Sequence, residues 1–226
     1  MPILPFINIY CNRIVIGNKE LIMTTSTEFW DNVSVKYSKK AVPSQDIYQE
    51  KLKRTQKLLN KESIVMEFGC GTGTTSLIHA PHVKEIIAHD YSPGMIDIAN
   101  KKKADQSIGN VTFEVKTVED IPFHEETYDV IMAHSILHLT QNNEEILKNV
   151  YQSLRPGGYF VSSSGCIKEM NFLIQKIIPF MTSIGKAPDI TKFTADELID
   201  LHKKTGFKVY DVWKYKKGEL FLIAQK

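Results

Sequence analysis

An apolar run from Ile64 ends in an acid and three glycines on alternate positions: Glu67, then Gly69, Gly71 and Gly73. Glycines so spaced let a backbone turn sharply and bring its N–H groups against a ligand. Glu67 adds a carboxylate that can hold a cationic or hydroxyl-bearing group. A second acid, Asp90, follows Gly69 by 21 residues and closes another apolar run. A carboxylate is acceptor-only and can take two donors at once. His134 closes a further apolar run and brings a side chain able to exchange a proton near neutral pH.

These residues fall at the ends of short β-rich runs. Ile64 to Phe68, Glu85 to His89, Val111 to Val115, Tyr128 to Ala133 and Gly158 to Ser162 alternate with stretches of helical composition. Thr74 to Ala80, Pro93 to Ala104 and Asn143 to Leu154 are the clearest helices, with Ser92 as a cap before Pro93. Strand and helix in alternation predict an α/β fold, a doubly wound and mostly parallel sheet with helices on both faces. Ser44 to Leu59 reads as an amphipathic helix ahead of the core. Ile167 to Ile184 is rich in Met, Phe and Ile and ends at the breakers Gly185 and Pro188, which suggests helical cover. Thr194 to Thr205 carries a capping box with Glu197, and Phe207 to Tyr215 with Glu219 to Ala224 predicts a closing antiparallel hairpin.

A chain of 226 residues suits one well-buried core. We expect one domain over 23–226, with cover at 29–60 and 167–190, and residues 1–22 as an extension outside it. Lys and Arg number 28 against 26 Asp and Glu, so no global field favours nucleic acid or an anionic membrane. Three scattered cysteines, Cys11, Cys70 and Cys166, argue against a disulfide framework or zinc site and fit a reducing, cytoplasmic setting. No run approaches the roughly 20 apolar residues of a membrane span. His79 and His82 have no third ligand nearby in sequence, so no metal is expected.

Three ligands compete for the glycine loop. A phosphate-cradling loop needs Lys and a hydroxyl residue after its last glycine, whereas Gly73 is followed by Thr74, Thr75 and Ser76. A dinucleotide loop needs a third small residue where Thr74 stands, and Glu67 would repel a pyrophosphate. S-adenosylmethionine carries a cationic ammonium and sulfonium and a ribose diol, with no phosphate. Residues 65–73 resemble the first motif of class I S-adenosylmethionine-dependent methyltransferases, and the resemblance extends over 29–226 with 64–163 its specific part. It is of the small-molecule kind that includes ubiquinone/menaquinone C-methyltransferases ("type 11"). A seven-stranded Rossmann-like sheet closed by a reversed C-terminal strand is what that resemblance implies.

The resemblance also implies residue roles. Glu67, Gly69 and Gly71 would contact the cofactor, Asp90 would accept both ribose hydroxyls with Tyr91 beside it, and Met95 would stack on adenine. Val118 and Glu119 stand in the adenine-contacting loop, where many relatives carry Asp-Ala at the positions of Thr117 and Val118. Tyr37 belongs to a segment that folds over the cofactor in relatives. His134 is the best candidate to face the methyl group, with His138 a second possible base. Asp129, at a strand start, is read as structural. Met170, Phe172, Ile177, Phe180 and Met181 are expected to roof the acceptor pocket. The acceptor is expected to be a small molecule, since Ala133 to Ile136 lacks the Asn/Asp-Pro-Pro-aromatic turn used to grip a flipped base. An NAD-dependent oxidoreductase and a non-catalytic S-adenosylmethionine-binding module are the alternatives.

Overall fold

The computed structural model describes residues 13–16, 19–22, 26–40, 44–183 and 187–226. Cys11 and the breaker Gly185 lie outside the described residues. Strands β1 (Arg13–Ile16) and β2 (Lys19–Ile22) pair only with each other, apart from the main sheet. Helices α1 (Ser26–Ser38) and α2 (Gln45–Gln56) follow. The core then alternates as expected: β3 (Ile64–Phe68), α3 (Thr74–His79), β4 (Glu85–Asp90), α4 (Pro93–Asp105), β5 (Val111–Val115), β6 (Tyr128–His134), α5 (Asn143–Ser153) and β7 (Leu154–Gly165). After α6 (Phe172–Ser183) and α7 (Ala195–Lys204), β8 (Lys208–Lys216) and β9 (Glu219–Gln225) close the chain.

The seven main strands lie in the order β5-β4-β3-β6-β7-β9-β8, parallel except where β9 runs against both β7 and β8. Both faces of β3 are buried, as a central parallel strand requires. Val65 and Val130 pack into one apolar cluster, Met66 and Ile131 into another on the opposite face. The chain winds outward from β3 through β4 to β5, then returns to β6 on the other side of β3. The C-terminal ends of β3 and β6 therefore flank the topological switch point, the crevice where ligands bind in open α/β sheets.

Local chemistry explains the boundaries. Ser92 accepts the Met95 N–H at the start of α4, and Thr194 and Glu197 form the expected capping box on α7. Residues 155–158, between the expected helix and the expected strand, form a bulge inside a longer strand. β7 pairs Leu154 with Tyr128 and then resumes at Tyr159 opposite Val130, with Gly157 at φ 80° absorbing the bend. The cover helix α2 is tied to the C-terminal hairpin, where Arg54 pairs with Asp211 at 2.6 Å and lies over the Trp213 ring. Helix α6 differs from expectation. Its apolar residues face outward, with Phe172 68% and Phe180 63% exposed.

Asp129 accepts the Ile64 N–H at 2.7 Å and both carboxylate oxygens take the Arg155 guanidinium at 2.9 Å. This sits at the start of β3 and β6, away from the switch point, and fixes where the two strands begin. Asp129→Ala should lower unfolding stability by about 1–3 kcal/mol, the range for a lost charge-assisted bond that leaves an N–H unpaired. Urea unfolding checks this, and Asp129→Asn, which keeps an acceptor, should lose less.

Candidate functional site

The loop after β3 carries the geometry that the alternating glycines predict. Gly69, Gly71 and Gly73 have φ of 67°, 54° and 70°, a region that side-chain-bearing residues rarely adopt. At Gly69 and Gly73 a Cβ would also collide, 2.8 Å from Ile136 and 2.5 Å from Phe113. Gly71 differs, for its missing Cβ would meet only the Tyr37 ring, 4.0 Å away. One glycine thus opens onto space while its neighbours let the turn press against the core.

Asp90 anchors this turn. Its Oδ2 accepts the Gly71 N–H at 2.8 Å and its Oδ1 the Ser92 N–H at 3.0 Å. The Ser92 hydroxyl in turn donates to Asp31 of α1, which also accepts the Gly94 N–H at 3.0 Å. Burial raises the Asp90 carboxyl above its ordinary range, the Ser92, Gly71 and Tyr91 N–H donors pull it back, and the Asp31 charge adds to the rise. Glu67 is 2% exposed and accepts the Ser76 hydroxyl. Burial pushes its carboxyl up to about 7, helped by the nearby Asp90 charge and opposed by Ser76.

A cavity of about 460 Å³ opens at the switch point, within the size range of small-molecule sites. Tyr37, Glu67, Gly69, Gly71 and His134 all line it. His134 Nδ1 lies 3.3 Å from the Ser163 hydroxyl, and its ring stacks on Phe221 at an interplanar angle of 8°. Burial, with the Lys51 cation nearby, pushes His134 down to about 3. The imidazole is neutral at physiological pH and a weak proton acceptor, which suits it to hydrogen bonding more than to general-base work.

Other expected site residues lie outside the cavity wall. Asp90, Tyr91, Met95, Val118 and Glu119 do not line it. Met95 is 2% exposed in the first turn of α4, Val118 packs against the core, and Glu119 is exposed. Asp90 nevertheless adjoins the wall, since it accepts the N–H of Gly71, which lines the cavity. His138 does not line the cavity either; it sits half-buried in a 3-10 turn at Leu137–Leu139, and burial lowers it to about 4. The α6 roof is likewise absent from the wall, because that helix turns its apolar side chains to solvent and Met170 packs on Gly218.

Several wall residues were not legible in sequence. His79, fully buried with neither ring nitrogen bonded, lines the cavity and is lowered to about 4 by burial. Ser135, at φ 59° directly after β6, is a strained non-glycine position on the wall. Lys51, Tyr215 and Glu219 complete the far side. Lys51 is one basic residue among Lys53 and Arg54 on α2 and Lys57 just after it, so only its contacts distinguish it from a solvated face. Among the described residues no group of three or more His, Cys, Asp or Glu is arranged to hold a metal, and no helix is long and apolar enough to cross a membrane.

The residues fit an S-adenosylmethionine-sized ligand. Asp90 accepts the Gly71 and Ser92 N–H groups through different oxygens, with a further backbone donor at Tyr91, and a carboxylate's remaining acceptor sites leave room for a hydroxyl. The open side of Gly71 leaves room for close approach, and Glu67 lies on the same wall.

Known proteins agree with this architecture. Residues 65–158 match a family model described as a methyltransferase domain. An uncharacterized methyltransferase-like protein of Schizosaccharomyces pombe is 37% identical over 102 residues, 45% of this chain and 38% of its own length. The malonyl-[acyl-carrier protein] O-methyltransferase of Bacillus cereus is 33% identical over 102 residues, 44% of this chain and 36% of its own. The chain thus spans well under half the length of these curated relatives. Among solved structures, an S-adenosylmethionine-dependent methyltransferase from Mesorhizobium loti superposes with a TM-score of 0.66 at 17% identity, covering 76% of this chain and 95% of that one. The YcgJ protein of Bacillus subtilis does so with a TM-score of 0.61 at 19% identity, over 73% and 72%. At such identities the likeness concerns the fold. The motif match over residues 65–158, the strand order and the glycine turn all agree with the resemblance to class I S-adenosylmethionine-dependent methyltransferases.

Proposed function

We propose that the protein is an S-adenosylmethionine-dependent methyltransferase acting on an O, N, S or C atom of a small-molecule acceptor by direct displacement. The observation that carries this reading is the cavity at the switch point, where Glu67, Gly71 and Tyr37 line the same space as His134. S-adenosylmethionine, when bound, supplies a methyl group on a positively charged sulfur. Direct displacement needs alignment of acceptor, methyl carbon and sulfur and demands little else of the protein.

The chain's own residues supply that alignment. Asp90 holds hydroxyls with the acceptor capacity left after the Gly71, Ser92 and Tyr91 N–H groups. Glu67 faces the cationic end, and its ionised form is favoured when a cation enters a site where burial alone disfavours the charge. Tyr37 covers the open side of Gly71 and limits water. His134, neutral and paired with Ser163, orients the acceptor by a hydrogen bond. A second site for a pyrophosphate is disfavoured by Glu67, which weighs against the oxidoreductase reading. Two free buried cysteines, Cys70 and Cys166, accord with action in a reducing, cytoplasmic setting.

Calorimetry should find S-adenosylhomocysteine binding and no NAD binding, and a radiolabelled methyl-donor screen should yield a methylated product; binding without turnover on any acceptor would favour the non-catalytic module. Asp90→Ala should weaken S-adenosylhomocysteine binding by about tenfold or more, the scale of one or two lost charge-assisted bonds.

Glu67 gives a pH signature. Its folded carboxyl titrates at about 7 against 4.5 for an ordinary Glu, so the folded state holds a proton that the unfolded chain releases. Stability therefore falls as pH rises through that window, and the loss is complete above the folded value. Glu67→Gln should stabilise the free protein by about 1–3 kcal/mol at pH 8 and by little at pH 4, measured by thermal unfolding. Wild-type affinity for S-adenosylhomocysteine should rise with pH through about 7, whereas the Gln variant should bind weakly with no such rise.

His134→Ala tests the orienting role against the basic one. Turnover should fall by an amount that does not vary between pH 6 and 9, because a neutral imidazole has no ionisation there to lose. A pH-dependent defect would restore the general-base reading.

A further inference from the structure

The cavity wall opposite the glycine turn is built by three elements distant in sequence, and its charge is unbalanced. Lys51 of α2 donates from Nζ to the Tyr215 hydroxyl of β8 at 2.7 Å, and Tyr215 donates to Glu219 Oε2 of β9 at 2.9 Å. All three side chains are half-buried and line the cavity. Among the described residues Lys51 uses one of its three N–H donors, on that hydroxyl, and forms no salt bridge of its own. Lys216, at the same wall, donates to the uncharged Ser44 hydroxyl at 3.0 Å, and Lys40 also borders the space. Against these three ammonium groups stand Glu219, already accepting from Tyr215, and Glu67, buried and bonded to Ser76 across the cavity.

We propose that the Lys51–Tyr215–Glu219 wall is the acceptor subsite and that it selects a small acceptor bearing a carboxylate, held by the free donors of Lys51 with Lys216 at the rim. The proposal rests on reading the cavity as the cofactor and acceptor site. Tyr215 and Glu219 position the ammonium, since the hydroxyl accepts from Lys51 while Glu219 fixes its hydrogen. A half-buried ammonium without a full counter-charge is costly, and an anion entering beside it removes that cost. The same strain is visible in Lys51 itself, which burial pushes down to about 8 with Glu219 opposing and Lys216 assisting. Ser163 and His134 are neutral hydrogen-bonding groups on the adjoining wall, so the carboxylate has one cationic end to find.

The test is calorimetric titration of the full chain with butyrate, hexanoate, benzoate and phenylacetate, each against its primary amide, with and without saturating S-adenosylhomocysteine. At least one carboxylate should bind about tenfold or more tightly than its amide, the scale of a charge-assisted bond. Lys51→Met should remove that preference, and Lys51→Arg, which keeps the charge, should retain most of it. Both variants should bind S-adenosylhomocysteine as the wild type does. Equal binding of acids and amides by the wild type, a comparison independent of any variant's folding, would overturn the proposal. So would a Lys51→Met variant that loses S-adenosylhomocysteine to the same degree, since Lys51 would then hold the cofactor's own carboxylate. Absence of S-adenosylhomocysteine binding in the wild type would sink the methyltransferase reading, while the acid–amide comparison on the free protein would still decide this one.

Discussion

The hydrogen bond from the Gly71 N–H to Asp90 ties together the two strand ends beside the glycine-turn wall of the cavity. It forms only because the chain leaves β3 through three left-handed positions, and the collisions waiting at Gly69 and Gly73 show how tightly that turn is pressed onto the core. Asp90 passes the constraint onward through the Ser92 N–H to the start of α4, where Asp31 of α1 also binds. One buried carboxylate thereby sets the position of a loop, a helix start and a cover helix. It is held by N–H dipoles in place of a cation, which leaves acceptor capacity on the carboxylate.

A low-dielectric cavity gives its titratable groups unusual protonation. Glu67 is drawn toward the neutral acid, while His79 and His134 are held as neutral imidazoles. A site prepared in this way carries little negative charge of its own until a cation arrives. The lysines on the opposite wall lend it a positive side, so the two ends of the cavity prefer ligand groups of opposite sign. The proposed methyl transfer from a sulfonium would leave the protein chiefly a positioning task, and polarised ends are a means of positioning.

Helix α2 joins those ends. Its Leu52 is buried and also borders the cavity, and Arg54 clamps the helix onto the C-terminal hairpin through Asp211 and Trp213. An Arg that pairs with a carboxylate and covers an indole face gives geometric definition that a lone surface pair lacks. The hairpin is thus both the edge of the sheet and the far wall of the cavity.

Much of this was legible in the residues themselves. Strand and helix alternation is written in short apolar runs and capping residues, because burial on both faces of a parallel sheet and unsatisfied helix ends each demand particular side chains locally. The glycine turn and Asp90 were legible because positive φ and close approach restrict residue choice at the position itself. The outward face of α6 was not, since apolar composition does not say whether a neighbour covers it. Nor was the absence of Met95, Val118 and Glu119 from the cavity wall, which depends on how the loops after the strands pack. The sequence by itself determined the sheet, the left-handed turn and the acids at its strand ends. Only the tertiary structure decided that Lys51, Tyr215 and Glu219 meet, for such a contact depends on how α2 and the hairpin dock, and no local backbone rule records it.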